Sequence, residues 1–402
     1  MTSISERFAP LLASIAARAI DREERRELPF DEVRELKAAG FGALRLPVDQ
    51  GGSGASIPEL FSLLIELGGA DSNQPQIWRN HIAFVEDRLL EDSPASRRWI
   101  DEVAGGAFFG GAWSETGSSG VVGTRLSRDD AGATLSGTKY YSTGTIYSDW
   151  ISVFALGPND EDLILVVDAT APEVEIEDDW NGIGQRLTGS GTTRFHRVPI
   201  DEDSIYPFNQ RALYQESLYQ LVLLASLAGV GRAARRELVE HVQGRLKNYP
   251  HGLDVEPRND AQLQDVVGRV SALVSSAEAN VLRAAELIQR AFEAARDGLD
   301  QTPAAIAAAV ATYEAQIVVT DGILSATTLI YDALGSSALA TPTYLDRHWR
   351  NARTISSHNP RVYKSRIVGD YYLNDASPLD VWRAALEKRS EQEKAREAAL
   401  TS

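Results

Sequence analysis

The chain has 402 residues, and 40 Lys and Arg against 57 Asp and Glu give a formal charge of −17 at pH 7. This acidic balance excludes a general binder of nucleic acids or of anionic membranes, because both need a basic face. The sequence contains no cysteine, which excludes disulfides, thiolate metal sites and cysteine nucleophiles. No histidine pair has zinc spacing, so no metal site is predicted.

The first residues lack the apolar segment of a secretory signal. The longest apolar run, at 221–231, is shorter than the roughly 20 residues of a membrane span. The sequence therefore predicts a cytoplasmic protein that does not enter a membrane. At roughly 150 residues per domain, two or three domains are expected.

Helical spacing of apolar residues dominates the first hundred residues. It is clear over 4–15, a Gly-rich loop follows at 50–54, and another helix starts near 56–58 with Pro58 in its first turn. A further helix is predicted from about 74 to 90. Together these elements predict an N-terminal helical domain over residues 1–106.

Short alternating segments then replace the helical pattern. They are rich in β-branched residues and are separated by turn-forming residues, which is typical of strands. The predicted strand segments are 107–113, 121–128, 133–141, 151–156, 163–168 and 192–198. A β-barrel-like middle domain is predicted over 107–203.

Helical spacing returns in the last part of the chain. An apolar stripe runs over 263–282, and Thr302-Pro303 predicts a capped helix that ends at Gly335. A last helix is predicted from Pro378. We expect residues 204–402 to form a four-helix bundle, whose broad apolar faces indicate subunit contacts.

Residue patterns alone assign no reaction to this chain. It contains no P-loop, no dinucleotide fingerprint in a strand-then-helix frame and no nucleophile elbow. Three segments are more informative about function: Gly110–Gly120 (GGAWSETGSSG), Leu135–Gly144 (LSGTKYYSTG) and Thr192–Pro199 (TTRFHRVP). In this order they resemble the flavin loop, the ring-lining segment and the last strand of the acyl-CoA dehydrogenase fold. That resemblance implies a mostly α protein with a central β domain.

The same segments are chemically suited to a flavin, which needs an apolar wall and hydrogen-bond donors. The candidates for the wall are Trp113, Tyr140 and Tyr141. The candidate donors are Ser114, Ser118, Ser142 and Thr143. A β turn would explain any one of these residues alone, but the set favours a flavin site.

The segment 346–360 distinguishes between reactions on this fold. In the acyl-CoA dehydrogenases that it resembles, a Tyr-Glu pair supplies the base that removes a proton from the substrate. His358 and Asn359 occupy that place here, and no carboxylate lies between Asp346 and Asp370. Because Asn359 cannot act as a base, the sequence argues against dehydrogenase activity.

The run from Arg350 to Lys364 instead resembles flavin monooxygenases of this fold, in particular the dibenzothiophene monooxygenase group. The resemblance implies that His358 lies at the flavin and that His81 supplies a second histidine. It also implies that reduced FMN reacts with O₂ to give a C4a-hydroperoxide, which such donors stabilise. The predicted catalytic residues are therefore His81, His358 and Thr143.

Other residues are candidates for binding the phosphate groups of the cofactor. Arg245 matches a family arginine that reaches the cofactor phosphates, often across a subunit interface, and Lys247 is an alternative. Ser336 and Ser337 replace glycines of the dehydrogenases in the segment 334–338, which favours FMN over FAD.

The leading interpretation is a two-component monooxygenase that acts on a small organic substrate, sulfur-containing or aromatic, with O₂. Since the sequence has no nicotinamide-binding frame, a separate NAD(P)H-dependent flavin reductase would supply the reduced FMN. A homotetramer is expected. Two alternatives stay open: an acyl-CoA dehydrogenase that uses FAD with a displaced base, and a non-catalytic helical oligomer of the same fold.

Overall fold

The structure, a computed structural model, describes residues 3–115, 123–130, 132–379 and 381. The N-terminal helices are α1 (Ile4–Arg25), α2 (Phe30–Ala38), α3 (Ile57–Ala70), α4 (Gln74–Leu89) and α5 (Pro94–Ala104). The strands are β1 (Phe109–Ala112), β2 (Arg125–Asp129), β3 (Gly132–Ser142), β4 (Trp150–Leu156), β5 (Asp162–Asp168), β6 (Val174–Ile176), β7 (Gly191–Ile200) and β8 (Ile205–Pro207). The C-terminal helices are α6 (Gln215–Gly244), α7 (Ala261–Arg296), α8 (Thr302–Leu334), α9 (Asp346–Ser356) and α10 (Lys364–Asn374).

Local signals explain where several helices begin and end. At the start of α3, Ser56 Oγ accepts from Glu59 N–H and the Glu59 carboxylate accepts from Ser56 N–H, which is a capping box. Helix α8 begins at the predicted Thr302, although Thr302 is its first helical residue and not its cap. It ends, as predicted, before Gly335, whose φ of 71° favours glycine.

The two helical parts of the chain share one hydrophobic core. Apolar residues of α1, α3 and α4 join those of α6, α7 and α8 in a single buried cluster. Helices α3 and α6 approach so closely that a Cβ on Gly229 would lie 2.5 Å from the Gly68 carbonyl carbon. The N-terminal and C-terminal helices thus form one continuous hydrophobic core.

The strands form one sheet with the order β6-β7-β3-β2-β4-β5-β8, and β1 pairs with β4. One face, including Leu135, Val153 and Phe195, forms a separate core of its own. The opposite face packs Ile164 and Val166 against side chains of α4 and α5. The predicted strands are confirmed apart from their ends, whereas β6 and β8 were missed because three residues are too short to show a period.

Two of the described helices also satisfy the length and composition of a membrane span, although their apolar runs are interrupted by polar residues. In α6, 89% of the apolar window is buried inside the fold, and in α8 the buried share is 44%. Helix α6 is thus a core helix, and α8 keeps an apolar face that the described part of the chain does not cover. The last predicted helix, from Pro378, falls almost entirely outside the described residues.

Candidate active site

An aromatic cluster lies where the sheet meets the start of α6. The Trp113 ring, just after β1, is 6.2 Å from the ring of Phe154, 6.0 Å from that of Phe208 and 5.7 Å from that of Tyr219. The Arg211 guanidinium lies 5.0 Å from the centre of the Trp113 ring. The predicted apolar wall at Trp113 therefore faces the C-terminal helices.

The two sequence segments predicted to hold a flavin are adjacent in the sheet. Tyr140 N–H donates to Ser114 O at 2.9 Å, and Gly111 N–H donates to Thr143 O at 3.4 Å. The pairing of β3 with β7 shifts between Lys139 and Ser142, and Tyr141 has a φ of 56°. Because that conformation is costly for a bulky side chain, a bulge of this kind commonly marks a functional site.

The two segments carry buried polar atoms that have no hydrogen-bond partner within the described residues, among them Trp113 Nε1 and Ser142 Oγ. Leaving a buried polar group unpaired costs about 1–3 kcal/mol, so such atoms are normally paired in a folded protein. Their position on two segments that backbone hydrogen bonds join suits a planar ligand that accepts hydrogen bonds, as a flavin ring does.

The other hydroxyl candidates differ in their surroundings. Thr143 is 4% exposed, and its Oγ1 lies 2.8 Å from Ser190 Oγ, which is 2.7 Å from Thr188 Oγ1. Thr143 therefore has protein partners, whereas Ser114 is exposed. Ser118 lies outside the described residues.

A buried ion pair supports the strand that carries Trp113. Lys139 Nζ, with a side chain 0% exposed, donates to Glu115 Oε1 at 2.6 Å. Burial raises the pKa of Glu115, but hydrogen bonds to its carboxylate have the larger combined effect and hold that pKa below its usual value. The donors are Lys139 and the backbone N–H groups of Gly123 and Thr124. The pair thereby joins β3 to the chain just beyond Trp113.

His358 follows α9 and faces the same region from the helical side. Its Nδ1 lies 3.4 Å from Asn359 Oδ1, and Asn359 Nδ2 donates to Gln220 Oε1 of α6 at 2.6 Å. Since the Asn359 amide nitrogen is used by Gln220, the tautomer that fits carries its hydrogen on Nδ1 and leaves Nε2 as an acceptor. Asn359 therefore holds the turn that presents His358.

The environment of His358 keeps its imidazole neutral. The side chain is accessible to solvent, yet protein surrounds it on most sides. Desolvation lowers the pKa of His358 to about 3, and the positive charge of Arg79 contributes. At neutral pH the side chain is thus available for hydrogen bonding without a charge.

His81 lies in a different environment from His358. It is 0% exposed, its Nε2 lies 2.9 Å from Gly42 O, and its Nδ1 accepts from Phe109 N–H at 3.2 Å. Both ring nitrogens thus have partners in the interior. The structure does not bring His81 and His358 together through any contact in the described part of the chain.

The buried position of His81 gives an expected pH dependence of stability. Burial lowers the pKa of His81 to about 4, whereas the unfolded chain protonates near pH 6.5. Below pH 6.5 the unfolded state therefore binds the proton more readily, and stability falls as the pH drops toward 4. The expected loss in the free energy of unfolding is about 3 kcal/mol at most, since each unit of difference between the two pKa values corresponds to about 1.4 kcal/mol. Urea unfolding at several pH values should show that the free energy of unfolding falls less steeply with decreasing pH for His81→Gln than for the parent. Equal slopes for the two proteins would contradict this assignment.

Arg245 lies beside the serines predicted to bind a phosphate. Its Nη1 donates to Ala333 O at 2.8 Å, and its guanidinium is 4.9 Å from the Tyr249 ring centre. Tyr249 in turn packs on Gly335, where a Cβ would lie 2.0 Å from Tyr249 Oη. The exposed hydroxyls on this turn are those of Ser336 and Ser337. The structure thus brings the three predicted phosphate ligands close together.

The phosphate candidates are far from the aromatic cluster of the same chain. Tyr219 and Arg245 are 26 residues apart along α6. At a rise of 1.5 Å per residue this is about 39 Å, which is much longer than an FMN molecule. Trp113 and Arg245 of one chain therefore cannot hold the two ends of the same flavin.

Arg79 of α4 was not singled out by the sequence prediction. Its guanidinium is 5.1 Å from the Tyr219 ring centre, and within the described residues it forms no hydrogen bond or ion pair. The sequence contains a signal for this: the positions three and four residues away on α4 hold no acidic side chain that could pair with it.

The comparisons with known proteins agree with this fold. The family model described as "Acyl-CoA dehydrogenase, C-terminal domain" matches residues 221–360. The solved structure of methanesulfinate monooxygenase MsuC from Pseudomonas fluorescens superimposes with a TM-score of 0.86 at 24% identity, and the match covers 94% of this chain and 98% of that one. The chain has the acyl-CoA dehydrogenase fold, as the sequence predicts.

Two curated relatives extend the comparison to sequence. A dibenzothiophene monooxygenase of Mycolicibacterium goodii is 24% identical over 379 residues, which is 90% of this chain and 91% of the relative. A "Probable FMNH2-dependent monooxygenase SfnC" of Pseudomonas putida is 24% identical, over 92% of this chain and 94% of the relative. The predicted resemblance to the dibenzothiophene monooxygenase group is confirmed, and so is the predicted class of enzyme, a flavin-dependent monooxygenase.

Proposed function

We propose that this protein oxygenates a small organic substrate with O₂ and reduced FMN, which a separate NAD(P)H-dependent flavin reductase supplies. The observation that carries the proposal is the pair of unpartnered buried atoms, Trp113 Nε1 and Ser142 Oγ, on two segments that backbone hydrogen bonds join. When bound there, FMN supplies the electrons that activate O₂. The name of the relative from Pseudomonas putida supports the reduced flavin.

The residues of the chain have definable roles in this reaction. The Trp113 indole N–H and the Ser142 hydroxyl bind and orient the ring. The Nε2 atom of His358 accepts a hydrogen bond from a donor at the ring, while Asn359 holds the imidazole in place. The aromatic cluster excludes water, which limits unproductive loss of the activated oxygen.

The dehydrogenase alternative receives no support from the residues around Asn359. The amide of Asn359 is tied to Gln220 where a catalytic carboxylate would be needed. Glu216 is a carboxylate in the first turn of α6, but it accepts a hydrogen bond from Arg211 Nη1 at 3.1 Å. A base held by a guanidinium is poorly suited to removing a proton from a carbon acid.

The phosphate end of the flavin is supplied, in our proposal, by a second protomer of a homotetramer. The support is the separation of about 39 Å along α6 between Tyr219 and Arg245. The partly uncovered apolar face of α8 is a suitable subunit contact. Arg245, Ser336 and Ser337 of one protomer would then bind the phosphate of a flavin whose ring lies in the other.

Anaerobic titration with reduced FMN tests the cofactor site. Trp113→Phe keeps the ring but removes the unpartnered N–H, so affinity for reduced FMN should fall about tenfold. Trp349→Phe, on the half-exposed surface of α9, is the matched control and should bind as the parent protein does. Equal binding by both variants, or no binding by the parent, would contradict the proposal.

Mixing two variants tests the arrangement of the subunits. Arg245→Ala and His358→Ala should each be nearly inactive alone. Mixed oligomers should recover part of the activity, because some sites then combine an intact Arg245 with an intact His358 from another chain. No recovery, or a monomer of 43.8 kDa in light scattering, would exclude sites shared between protomers.

A further inference from the structure

A cavity lies between helices α1, α3, α6 and α9, apart from the aromatic cluster. Its volume is about 540 Å³. Cavities that bind small molecules commonly measure about 300–1,000 Å³, so this one is large enough for a ligand. Small apolar side chains of α1 and α6, among them Ala13, Ala17 and Ala233, form much of its wall. The cavity can therefore enclose a hydrocarbon group.

The charged side chains of this cavity are mostly acidic. Four carboxylates and two guanidinium groups line it: Glu23, Asp71, Glu237, Glu240, Arg236 and Arg347. His348 also lines it, but burial lowers the pKa of its imidazole and the Arg347 charge contributes, so it is uncharged at neutral pH. The four negative and two positive charges leave the lining negative, which favours a cation over an anion.

Three of the four carboxylates need no further partner. Glu240 is exposed to solvent. Glu23 is buried and accepts a hydrogen bond from Arg350 Nη1 at 3.0 Å. Glu237 is buried and accepts hydrogen bonds from Arg347 Nη2 and from the imidazole of His348. The charges of these side chains are already solvated or paired.

Asp71, directly after α3, is the exception. It is 5% exposed, and its Oδ1 accepts from Asn73 N–H at 2.9 Å and from Asn73 Nδ2 at 2.8 Å. Its Oδ2 is buried without a hydrogen-bond donor among the described residues, and Arg22 Nη2 is 3.9 Å away. Both Nη groups of Arg22 donate elsewhere, to Glu32 and to Ile15 O. One oxygen of Asp71 is thus left for a donor from outside the described part of the chain.

A second buried carboxylate lies close enough to Asp71 to interact with it. Burial raises the pKa of Glu23, the charge of Arg350 opposes this, and the negative charge of Asp71 reinforces it. Two like charges in a poorly solvated place repel each other. A positive charge bound at Asp71 would relieve that repulsion.

We propose that this cavity binds a small organic ammonium ion, whose N–H group donates to Asp71 Oδ2 while its hydrocarbon part packs against the alanines of α1 and α6. A buried carboxylate oxygen without a donor is costly, and an ammonium supplies both the donor and the opposite charge. A metal ion suits the site less well, because the described residues contain no group of three or more His, Cys, Asp or Glu side chains that could hold one. The site is independent of the proposed flavin chemistry.

Calorimetric titration with cyclohexylammonium chloride tests this site without turnover. The parent should bind the cation at millimolar concentration. Asp71→Asn keeps an oxygen for the Asn73 turn but loses the charge, so it should bind at least about tenfold more weakly. Asp101→Asn, which removes a carboxylate from the exposed surface of α5, is the matched control and should bind as the parent does. Cyclohexanol and cyclohexanecarboxylate, the neutral and anionic analogues, should bind the parent at least about tenfold more weakly than the cation.

A second variant tests the cavity by its size. Ala17 lines the cavity from an exposed position on α1, so Ala17→Leu should leave the melting temperature nearly unchanged while the larger side chain obstructs the ligand. Its affinity for cyclohexylammonium should fall about tenfold. This variant provides the test even if Asp71→Asn does not fold.

Several outcomes would overturn the inference. They are unchanged affinity in either variant, binding of cyclohexanol as tight as that of the cation, and no binding of the cation by the parent at millimolar concentration. Displacement of cyclohexylammonium by reduced FMN would place the cation at the flavin site, and the inference would again be wrong. Failure of the parent to bind reduced FMN, with the ammonium results as expected, would instead contradict only the proposed function.

Discussion

His358→Ala is expected to reduce product formation by about 10²–10³-fold, the usual cost of losing one preorganised hydrogen-bonding group. The reason lies in the position of the imidazole, which Asn359 and Gln220 hold in place and whose Nε2 has no partner within the described residues. Oxygen should still be consumed, but hydrogen peroxide should replace product. Coupled assays of product and peroxide at equal reduced FMN measure both effects.

Stability should be little changed by the same substitution. The His358 side chain is accessible to solvent and contributes little packing, so the melting temperature and the oligomeric state should match those of the parent. His196→Ala is the matched control, because that histidine lies on the exposed surface of β7. His358→Ala with unchanged product formation would exclude a catalytic role.

Glu115→Ala is expected to cost about 3–5 kcal/mol of folding free energy, the typical price of leaving a buried charge unpaired. Lys139 is completely buried, and burial lowers the pKa of its ammonium while Glu115 opposes this. Removing the carboxylate leaves Lys139 with a cation–π contact to the Phe154 ring at 5.4 Å. Because Trp113 is two residues from Glu115, flavin affinity should fall as well.

A double-mutant cycle distinguishes loss of the ion pair from loss of packing. Glu115→Leu with Lys139→Met replaces the pair by apolar side chains of similar size, and most of the stability should return. Chemical unfolding of the two single variants and the double variant gives the coupling energy. Additive effects of the two substitutions would mean that the pair contributes nothing beyond its separate side chains.

Much of the fold could be predicted because its signals are local. The stripe at 263–282 lies within α7, and the alternating segment at 163–168 lies within β5. Strands β6 and β8 depend on pairing with distant neighbours, and three residues carry no usable period. The sharing of one core by α3 and α6 is likewise a property of their packing in three dimensions, which no single segment of the sequence reveals.

The parts of the candidate site that lie in sequence motifs could be predicted, whereas the parts formed by contacts between distant segments could not. The segments around Trp113 and Ser142 could be recognised, and the structure pairs them on adjacent strands. The surroundings of His81 could not be foreseen, because its partners Gly42 and Phe109 come from other segments. Arg79 was visible as a charge without a local acidic partner, but only the fold reveals that no distant carboxylate among the described residues pairs with it.

The common core of α3 and α6 affects how the chain folds during synthesis. About 145 residues must be added after the end of α3 before α6 begins. Contacts between such distant segments form slowly, so the apolar face of α3 stays exposed while the ribosome makes the rest. The sheet, which has its own core, can fold in that interval. The helices made first therefore reach their final packing only after α6 has been made, and a fragment ending before α6 should require a chaperone to stay in solution.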